Sequence, residues 1–194
     1  KNPLYNDMTE QRVSLLARDP NSLKSNPYCI KYPDQAFDVQ YTLAFMNDGA
    51  GTANDIKINL VPNSKIDLST IHFYSCKIGT KIFTNIPKYV WGPTPPQYYQ
   101  EKLCSYTLSN GIVTTKPCIQ VVFKDVNLRG TFQTPLSEIE VTKGKTVIGF
   151  TTNAVDVFPE MTASVYFNDA TVPITIKRKM IQCPPNTPSA ETFQ

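Results

Sequence analysis

The chain of 194 residues has a single histidine, His72, so any chemistry that needs an imidazole would depend on this residue. Zinc sites and acid–base relays usually draw on several imidazoles, or on an imidazole beside an activated nucleophile. No Gly-x-Ser-x-Gly segment marks a serine that His72 could serve. The sequence therefore predicts a protein that is not an enzyme and that has no catalytic residues.

The five cysteines include no Cys-x-x-Cys pair and no histidine at ligand spacing. This pattern favours disulfides in an oxidising compartment over a zinc site. The odd number leaves at least one thiol free, buried or paired outside the chain. Two of the cysteines flank a predicted hairpin turn at Asn110-Gly111, so a bridge between Cys104 and Cys118 is one interpretation and a pair of buried thiols is the other. The disulfide candidates are Cys29, Cys76, Cys104, Cys118 and Cys183.

Side chains whose oxygen atoms could bind a cation occur at two predicted turns. Calcium is the cation that takes several hard oxygen ligands. The same Asp and Asn side chains also stabilise turns by bonding to their own backbone. Both interpretations remain open at this point. If the protein holds a structural calcium ion, we expect its ligands among Asp19, Asn21, Asn47 and Asp48. No other cofactor is expected.

A segment rich in proline, residues 87–101, contains the only tryptophan of the chain. Closely spaced prolines disfavour a central strand and predict an extended, polyproline-like loop at the surface. A rigid aromatic platform suits stacking on a sugar ring or gripping a protein partner. The alternative is a loop folded over the sheet, with its rings covering apolar surface. The candidate binding residues are Trp91, Tyr98, Tyr99 and Tyr89.

The elements that must position these residues are predicted to be β-strands. Apolar residues alternate with polar ones across residues 37–45, which is the period of two that buries one face of a sheet. A second strand at residues 55–61 follows a glycine-rich turn, and the two together indicate an antiparallel hairpin. Roughly nine to eleven strands separated by Pro, Gly and Asn turns predict a two-sheet sandwich with almost no helix.

Charge and length limit the organisation of the chain and its partners. Lys and Arg total 19 against 16 for Asp and Glu, and a net charge of +3 is too weak to indicate a nucleic-acid partner. No apolar run approaches the roughly 18 residues of a membrane helix, so we expect no membrane insertion. We predict an extended lead-in with one edge strand at residues 1–36, a β-sandwich domain at 37–180 and a linker-like tail at 181–194.

Four segments carry a resemblance to a known family, and they occur in the family's order. They are the Asp-Pro-Asn segment at 19–21, the strand and turn at 41–53, the strand and Asp-Leu-Ser-Thr corner at 55–70, and the closing strand at 162–169 with Pro173. Together they resemble the Ig-like conserved-repeat domains of bacterial cell-surface and secreted proteins, the class found in adhesins and in gliding or type IX secretion cargo. The five cysteines and the long segment around Trp91 depart from that pattern.

The resemblance implies an all-β protein, a two-sheet Ig-like β-sandwich with long loop insertions, located at the cell surface or outside the cell. It implies a non-catalytic structural or adhesive module of a secreted or surface-displayed bacterial protein. The partners would be neighbouring domains of a longer chain and a glycan or protein ligand. A carbohydrate-binding module that uses the loop of Trp91, Tyr98 and Tyr99 is the alternative function.

Overall fold

The computed structural model describes residues 21–185, and these residues are mostly β-strand. Strands account for 55% and helices for 6% of the structure, which confirms the all-β prediction. Helix in this range is limited to two short 3-10 segments, Thr131–Gln133 and Leu136–Thr142. The twelve strands of the described range are β1 (Ser22–Asn26), β2 (Cys29–Ile30), β3 (Phe37–Met46), β4 (Ile56–Pro62), β5 (Ile66–Ile78), β6 (Lys81–Phe83), β7 (Gln97–Thr107), β8 (Val113–Phe123), β9 (Lys143–Thr152), β10 (Glu160–Phe167), β11 (Ile174–Lys179) and β12 (Ile181–Gln182).

Ten of these strands form two antiparallel sheets that pack face to face as a β-sandwich. Sheet 1 has the order β1-β3-β9-β5-β6, and sheet 2 has the order β11-β10-β4-β8-β7. The remaining two strands, β2 and β12, form a short parallel pair. At one side of the sandwich β1 contacts β11, so the edges of the two sheets meet there.

The core lies between the sheets and is built from every second residue of the strands. Each of these side chains is almost fully buried, and burial of an aliphatic or aromatic side chain contributes roughly 1.5–3 kcal/mol to folding. The alternation that predicts the strands therefore also predicts the core. Its central members are Val39, Tyr41, Leu43 and Phe45 in sheet 1 and Ile56, Ile58, Leu60, Ile119, Val121 and Phe123 in sheet 2.

The predicted hairpin of β3 with β4 is wrong, because the two strands belong to different sheets. β3 pairs with β1 and β9, whereas β4 pairs with β10 and β8. The turn after β3 carries the chain across the sandwich, and there Asn47 Nδ2 donates to the carbonyls of Gly51 and Leu128, both at 2.9 Å. Each of the two strands has a complete apolar face. Because the strands face each other across the core, both apolar faces are buried.

Glycine occupies two tight turns, and the second of them confirms the hairpin turn predicted at Asn110-Gly111. β5 returns as β6 through Gly79 at φ +59°, and β7 returns as β8 through Gly111 at φ +85°. Both angles lie in the left-handed region, which glycine enters without steric cost. The second turn makes β7 and β8 into one long hairpin.

The hairpin of β7 and β8 extends past the strand beside it. β4 pairs with β8 only as far as Leu60 opposite Ile119, although β8 begins at Val113. Residues 102–107 and 113–118 therefore form a two-stranded extension without a third paired strand, called the arm below. A disulfide between Cys104 and Cys118 links its strands.

The first described strand belongs to the sandwich, and the last is joined to β2 by backbone pairing and a disulfide. β1 pairs with β3 and contributes Leu23 to the core, and a disulfide joins Cys29 of β2 to Cys183, which follows β12. The strand-like run at residues 12–17 and the residues after 185 lie outside the described range. Within residues 21–185, no helix combines the length and apolar character that crossing a membrane requires.

Candidate binding surface

The segment between β6 and β7, residues 84–96, is the proline-rich loop that carries Trp91, and it is called the Trp91 loop below. Its backbone is bonded to the edge of β7. The N–H of Tyr89 donates to the carbonyl of Tyr99 at 2.8 Å, and the N–H of Tyr99 donates to the carbonyl of Pro87 at 3.0 Å. The first half of the loop is therefore held as a short extension of sheet 2.

Lys124, directly after β8, fixes the second half of the loop. Its backbone N–H donates to the carbonyl of Pro96 at 2.8 Å, and its Nζ donates to Thr94 Oγ1 at 3.0 Å. The same Nζ lies 6.0 Å from the centre of the Tyr98 ring. With both halves bonded to strands, the loop has little conformational entropy left to lose.

The tip of the loop presents two apolar side chains to solvent. Tyr89 supports the tip, because its ring packs on Tyr98 at a centroid distance of 5.3 Å and its hydroxyl donates to the carbonyl of Gly92 at 3.0 Å. Between these supports Trp91 is 85% exposed and Val90 is 75% exposed. The alternative of a loop whose tryptophan covers the sheet therefore does not describe Trp91.

The four aromatic residues predicted as a binding set do not form one platform. β7 begins at Gln97, so the prediction of a continuous loop through residue 101 is wrong. Consecutive strand residues face opposite sides of a sheet. Tyr98 is accordingly buried on the outer face beside Tyr89, while Tyr99 points inward and meets Phe73 of sheet 1 at 5.1 Å. A strand this close to prolines is tolerated because β7 is an edge strand.

Sequence reasoning missed other exposed apolar residues. Leu103 is 69%, Val113 is 66% and Ile112 is 59% exposed, and all three lie in the arm or its turn. Alternation assigns Leu103 and Val113 to the inner face of the hairpin. Their exposure shows that sheet 1 does not cover the inner face of the arm, and the sequence of the arm contains no signal of that.

The side chains predicted as calcium ligands serve the backbone where they are described. Asn21 Oδ1 accepts from the N–H of Met46 at 3.1 Å, and Asn47 Oδ1 accepts from the N–H of Gly49 at 3.2 Å. Asp48 is exposed, and Asp19 lies outside the described residues. In residues 21–185 no three His, Cys, Asp or Glu side chains gather in a geometry that could hold a metal ion. Calcium binding stays a prediction, which a calcium titration followed by thermal melting would test.

Four of the cysteines form two disulfides, and the fifth is a free thiol. Cys104 pairs with Cys118 across the hairpin, with their Cα atoms 5.8 Å apart, and Cys29 pairs with Cys183. Cys76 is the free cysteine of the described residues and is fully buried in β5. Burial raises the pKa of its thiol to about 12, so the thiol stays protonated at neutral pH.

His72 lies on the outer face of sheet 1 and is exposed. Its ring meets the ring of Tyr74 edge to face, with the centroids 4.5 Å apart. Tyr74 in turn lies over Gly149, where a Cβ atom would come within 2.7 Å of the tyrosine ring. His72 and Tyr74 thus form an aromatic pair on the surface of sheet 1.

Comparisons with known proteins found similarity only at the level of overall structure. No protein-family model matches the chain, and no curated protein matches it. The collagen-binding subdomain of the Enterococcus faecalis surface protein ACE is 8% identical with a TM-score of 0.38, over 84% of this chain and 97% of that one. A collagen-binding domain from a Staphylococcus aureus adhesin is 14% identical with a TM-score of 0.33, over 75% of this chain and 88% of that one. Similarity at this level leaves the function to be argued from the residues of this chain.

Proposed function

We propose that the chain is a non-catalytic adhesive module of a secreted or surface-displayed bacterial protein, and that it grips a protein partner through Trp91. The observation that carries this proposal is the 85% exposure of Trp91 at the tip of a loop bonded to two strands. An indole in water contributes almost nothing to the fold, and it leaves apolar area free for burial against a partner.

The two side chains at the tip suit the centre of a protein interface. Tryptophan is among the residues that contribute most to interfaces, and its truncation there commonly costs about 2 kcal/mol or more. Val90 beside it is 75% exposed and widens the apolar contact. Because Tyr89 and Lys124 already hold the loop, the entropy lost on binding is small.

The disulfides support a location outside the cytoplasm. Two bridges are present in a domain whose core is already extensive, and such bridges persist in oxidising compartments. They also limit local unfolding, which protects a displayed domain from proteases. A role in adhesion under mechanical force is consistent with the presence of these two disulfides.

The test compares Trp91→Ala with a matched control, Val172→Ala, which truncates another apolar side chain that is 83% exposed. Both variants and the parent are applied to a panel of immobilised extracellular proteins and glycans. We expect binding to a protein that falls about thirtyfold or more with Trp91→Ala and is unchanged with Val172→Ala. The melting temperature of both variants should equal that of the parent.

Three outcomes would contradict the proposal. Unfolding of the Trp91→Ala variant would show that Trp91 stabilises the fold. Protein binding that survives the substitution would show that the adhesive surface lies elsewhere on the domain. Binding to glycans alone, lost with Trp91→Ala, would replace the protein partner by a saccharide.

A further inference from the structure

The outer face of sheet 2, which is turned away from sheet 1, carries a row of polar side chains across all five strands. Their register sets them opposite one another from strand to strand, and at a strand spacing of about 4.8 Å the row is about 19 Å long. It is called the polar row below. Its members, in the order β11, β10, β4, β8 and β7, are Thr175, Ser164, Asn59, Gln120 and Gln100.

Hydrogen bonds between the side chains fix the polar row in place. Gln100 Nε2 donates to Gln120 Oε1 at 3.1 Å, and Gln120 Nε2 donates to Asn59 Oδ1 at 3.0 Å. The hydroxyls of Ser164 and Thr175 are hydrogen-bonded to each other at 3.1 Å. Each of the three amides keeps at least one N–H that has no partner in residues 21–185. The row therefore presents hydrogen-bonding groups that are already ordered, which lowers the entropy cost of binding.

A groove runs over the polar row. It consists of two depressions, of about 270 Å³ and 190 Å³, which share Asn59, Gln120 and Tyr166 in their lining. Lys57 lines the first depression, and Lys102 lines the second. Because of the shared lining, the two depressions form one continuous surface, called the polar groove below.

The arm forms one wall of the polar groove. Cys104 and Ser105 of the arm line the second depression. The disulfide of Cys104 with Cys118 packs with Tyr106 against Val61 of β4, which holds the arm against the outer face of the sheet. The turn after β10, residues 168–170, forms the wall at the other end. Both walls are attached to strands, so the groove is preformed.

The surroundings of the polar groove are positively charged. The strands of sheet 2 direct five lysines and one glutamate to the outer face: Lys57, Lys102, Lys116, Lys177, Lys179 and Glu160. Glu160 lies opposite Lys179, which leaves four lysines without a facing carboxylate on these strands. Those four form no ion pair within residues 21–185. Asp169 is the one carboxylate in the lining, so the groove attracts anions.

Two of these lysines are held at the arm. The Nζ atoms of Lys116 and Lys177 lie 3.9 Å and 5.2 Å from the centre of the same Tyr106 ring. Lys102 lies two strands from Val61, in the row of residues next to the polar row. Positive charge is therefore concentrated beside the arm, while Lys57 supplies it on the other side of the polar row.

The lining suits hydroxyl groups better than nucleic-acid bases. A hydroxyl both donates and accepts, as the amides of the polar row do. Tyr166, directly opposite Lys57, offers a half-buried ring on which a sugar ring can stack. Single-stranded nucleic acid requires several rings for successive bases, and Tyr166 is the one aromatic side chain among the described residues that line the groove.

We propose that the polar groove binds an acidic oligosaccharide, one that carries sulfate or carboxylate groups. The polar row bonds to its hydroxyls, Tyr166 stacks on one ring, and Lys57 and Lys102 pair with its anionic groups. This site goes beyond the proposed function, because Trp91 takes no part in it. A displayed module could thus hold a saccharide on one face and a protein at the Trp91 loop.

Isothermal titration calorimetry of the full chain tests the charged contacts. The probes are a heparin hexasaccharide, a galacturonic acid hexamer and neutral cellohexaose. We expect binding of at least one acidic probe, weakened by added salt, and no binding of cellohexaose. The stronger acidic probe identifies sulfate or carboxylate as the preferred group. Lys102→Gln should weaken binding about tenfold, whereas Lys145→Gln, the same change on the outer face of sheet 1, should have no effect.

A second pair of variants tests the polar row. Gln120→Ala removes both amide bonds of the row and should weaken binding about fivefold or more, whereas Gln40→Ala, on the outer face of sheet 1, should not. Lys102 is exposed, so Lys102→Gln remains informative if Gln120→Ala lowers the melting temperature.

Four outcomes would overturn the proposal. The first is that neither acidic probe binds. The second is an equal loss of affinity in Lys102→Gln and Lys145→Gln, and the third is equal affinity for an oligothymidylate of the same charge, since both indicate diffuse attraction between charges. The fourth is loss of binding with Trp91→Ala, which would assign the saccharide to the Trp91 loop. Protein binding at Trp91 is measured separately, so the failure of one proposal does not decide the other.

Discussion

Trp91 shows how little the type of a residue says about its exposure. A lone tryptophan is commonly well buried, yet here it is 85% exposed, whereas the free thiol of Cys76 is fully buried, as is usual for cysteine. The sequence predicts a surface loop around Trp91 but leaves the direction of its side chain open. That direction depends on contacts of Tyr89 with Tyr98 and Gly92, which span a loop and a strand and leave no local pattern.

The thiol of Cys76 is expected to be unreactive in the folded protein. Its pKa is raised to about 12 by burial, so almost no thiolate exists at pH 8, and the side chain is closed to reagents. A disulfide-exchange dye should detect no thiol in the native protein and one thiol per chain after unfolding in guanidinium without reductant. Rapid labelling of the native protein would show that β5 opens easily or that the cysteine pairing differs.

At the scale of elements, the sequence predicts the strands well and their partners poorly. Alternation locates β3 and β4 because each buries one face, and Asn110-Gly111 locates the tight turn between β7 and β8. The assignment of β3 and β4 to different sheets depends on contacts of the connecting turn with Leu128, some 80 residues away. No local signal encodes such a contact.

The connection between the sheets depends on close backbone packing at Gly130. A Cβ atom there would lie 2.3 Å from the carbonyl oxygen of Gly49 and 2.9 Å from that of Gly51. Because backbone atoms cannot move aside cheaply, Gly130→Ala should destabilise the fold by about 1–3 kcal/mol in urea unfolding. Gly51→Ala, whose Cβ would meet nothing within 4 Å, is the control and should change stability by less than about 0.5 kcal/mol. Equal stability of the two variants would refute the packing at this crossing.

For the whole molecule, the two disulfides constrain different regions. The bridge of Cys29 with Cys183 spans 154 residues and joins the beginning and end of the described chain, whereas that of Cys104 with Cys118 spans 14 and stiffens the arm. The sequence suggests the second pair from the hairpin between its members. The first pair depends on the sandwich bringing β2 beside β12, so it follows from the tertiary fold alone.

The long bridge should stabilise the fold more than the short one. In the chain-entropy model, a loop of this length contributes about 5 kcal/mol and the hairpin loop about 3 kcal/mol. Thermal melts of the double variants Cys29→Ser/Cys183→Ser and Cys104→Ser/Cys118→Ser should therefore both show lower melting temperatures, with the larger drop for the first. The reverse order would mean that β2 and β12 are loosely attached to the sandwich.

Fluorescence of the intact chain reports the exposure of Trp91 directly, because Trp91 is its only tryptophan. An exposed indole emits at long wavelength and is quenched by acrylamide as readily as a free tryptophan derivative in water. We predict both properties for the folded protein, with no further red shift when it unfolds. A blue-shifted emission that resists acrylamide in the native state and shifts to the red on unfolding would show that Trp91 is buried, and the adhesive role proposed for it would be wrong.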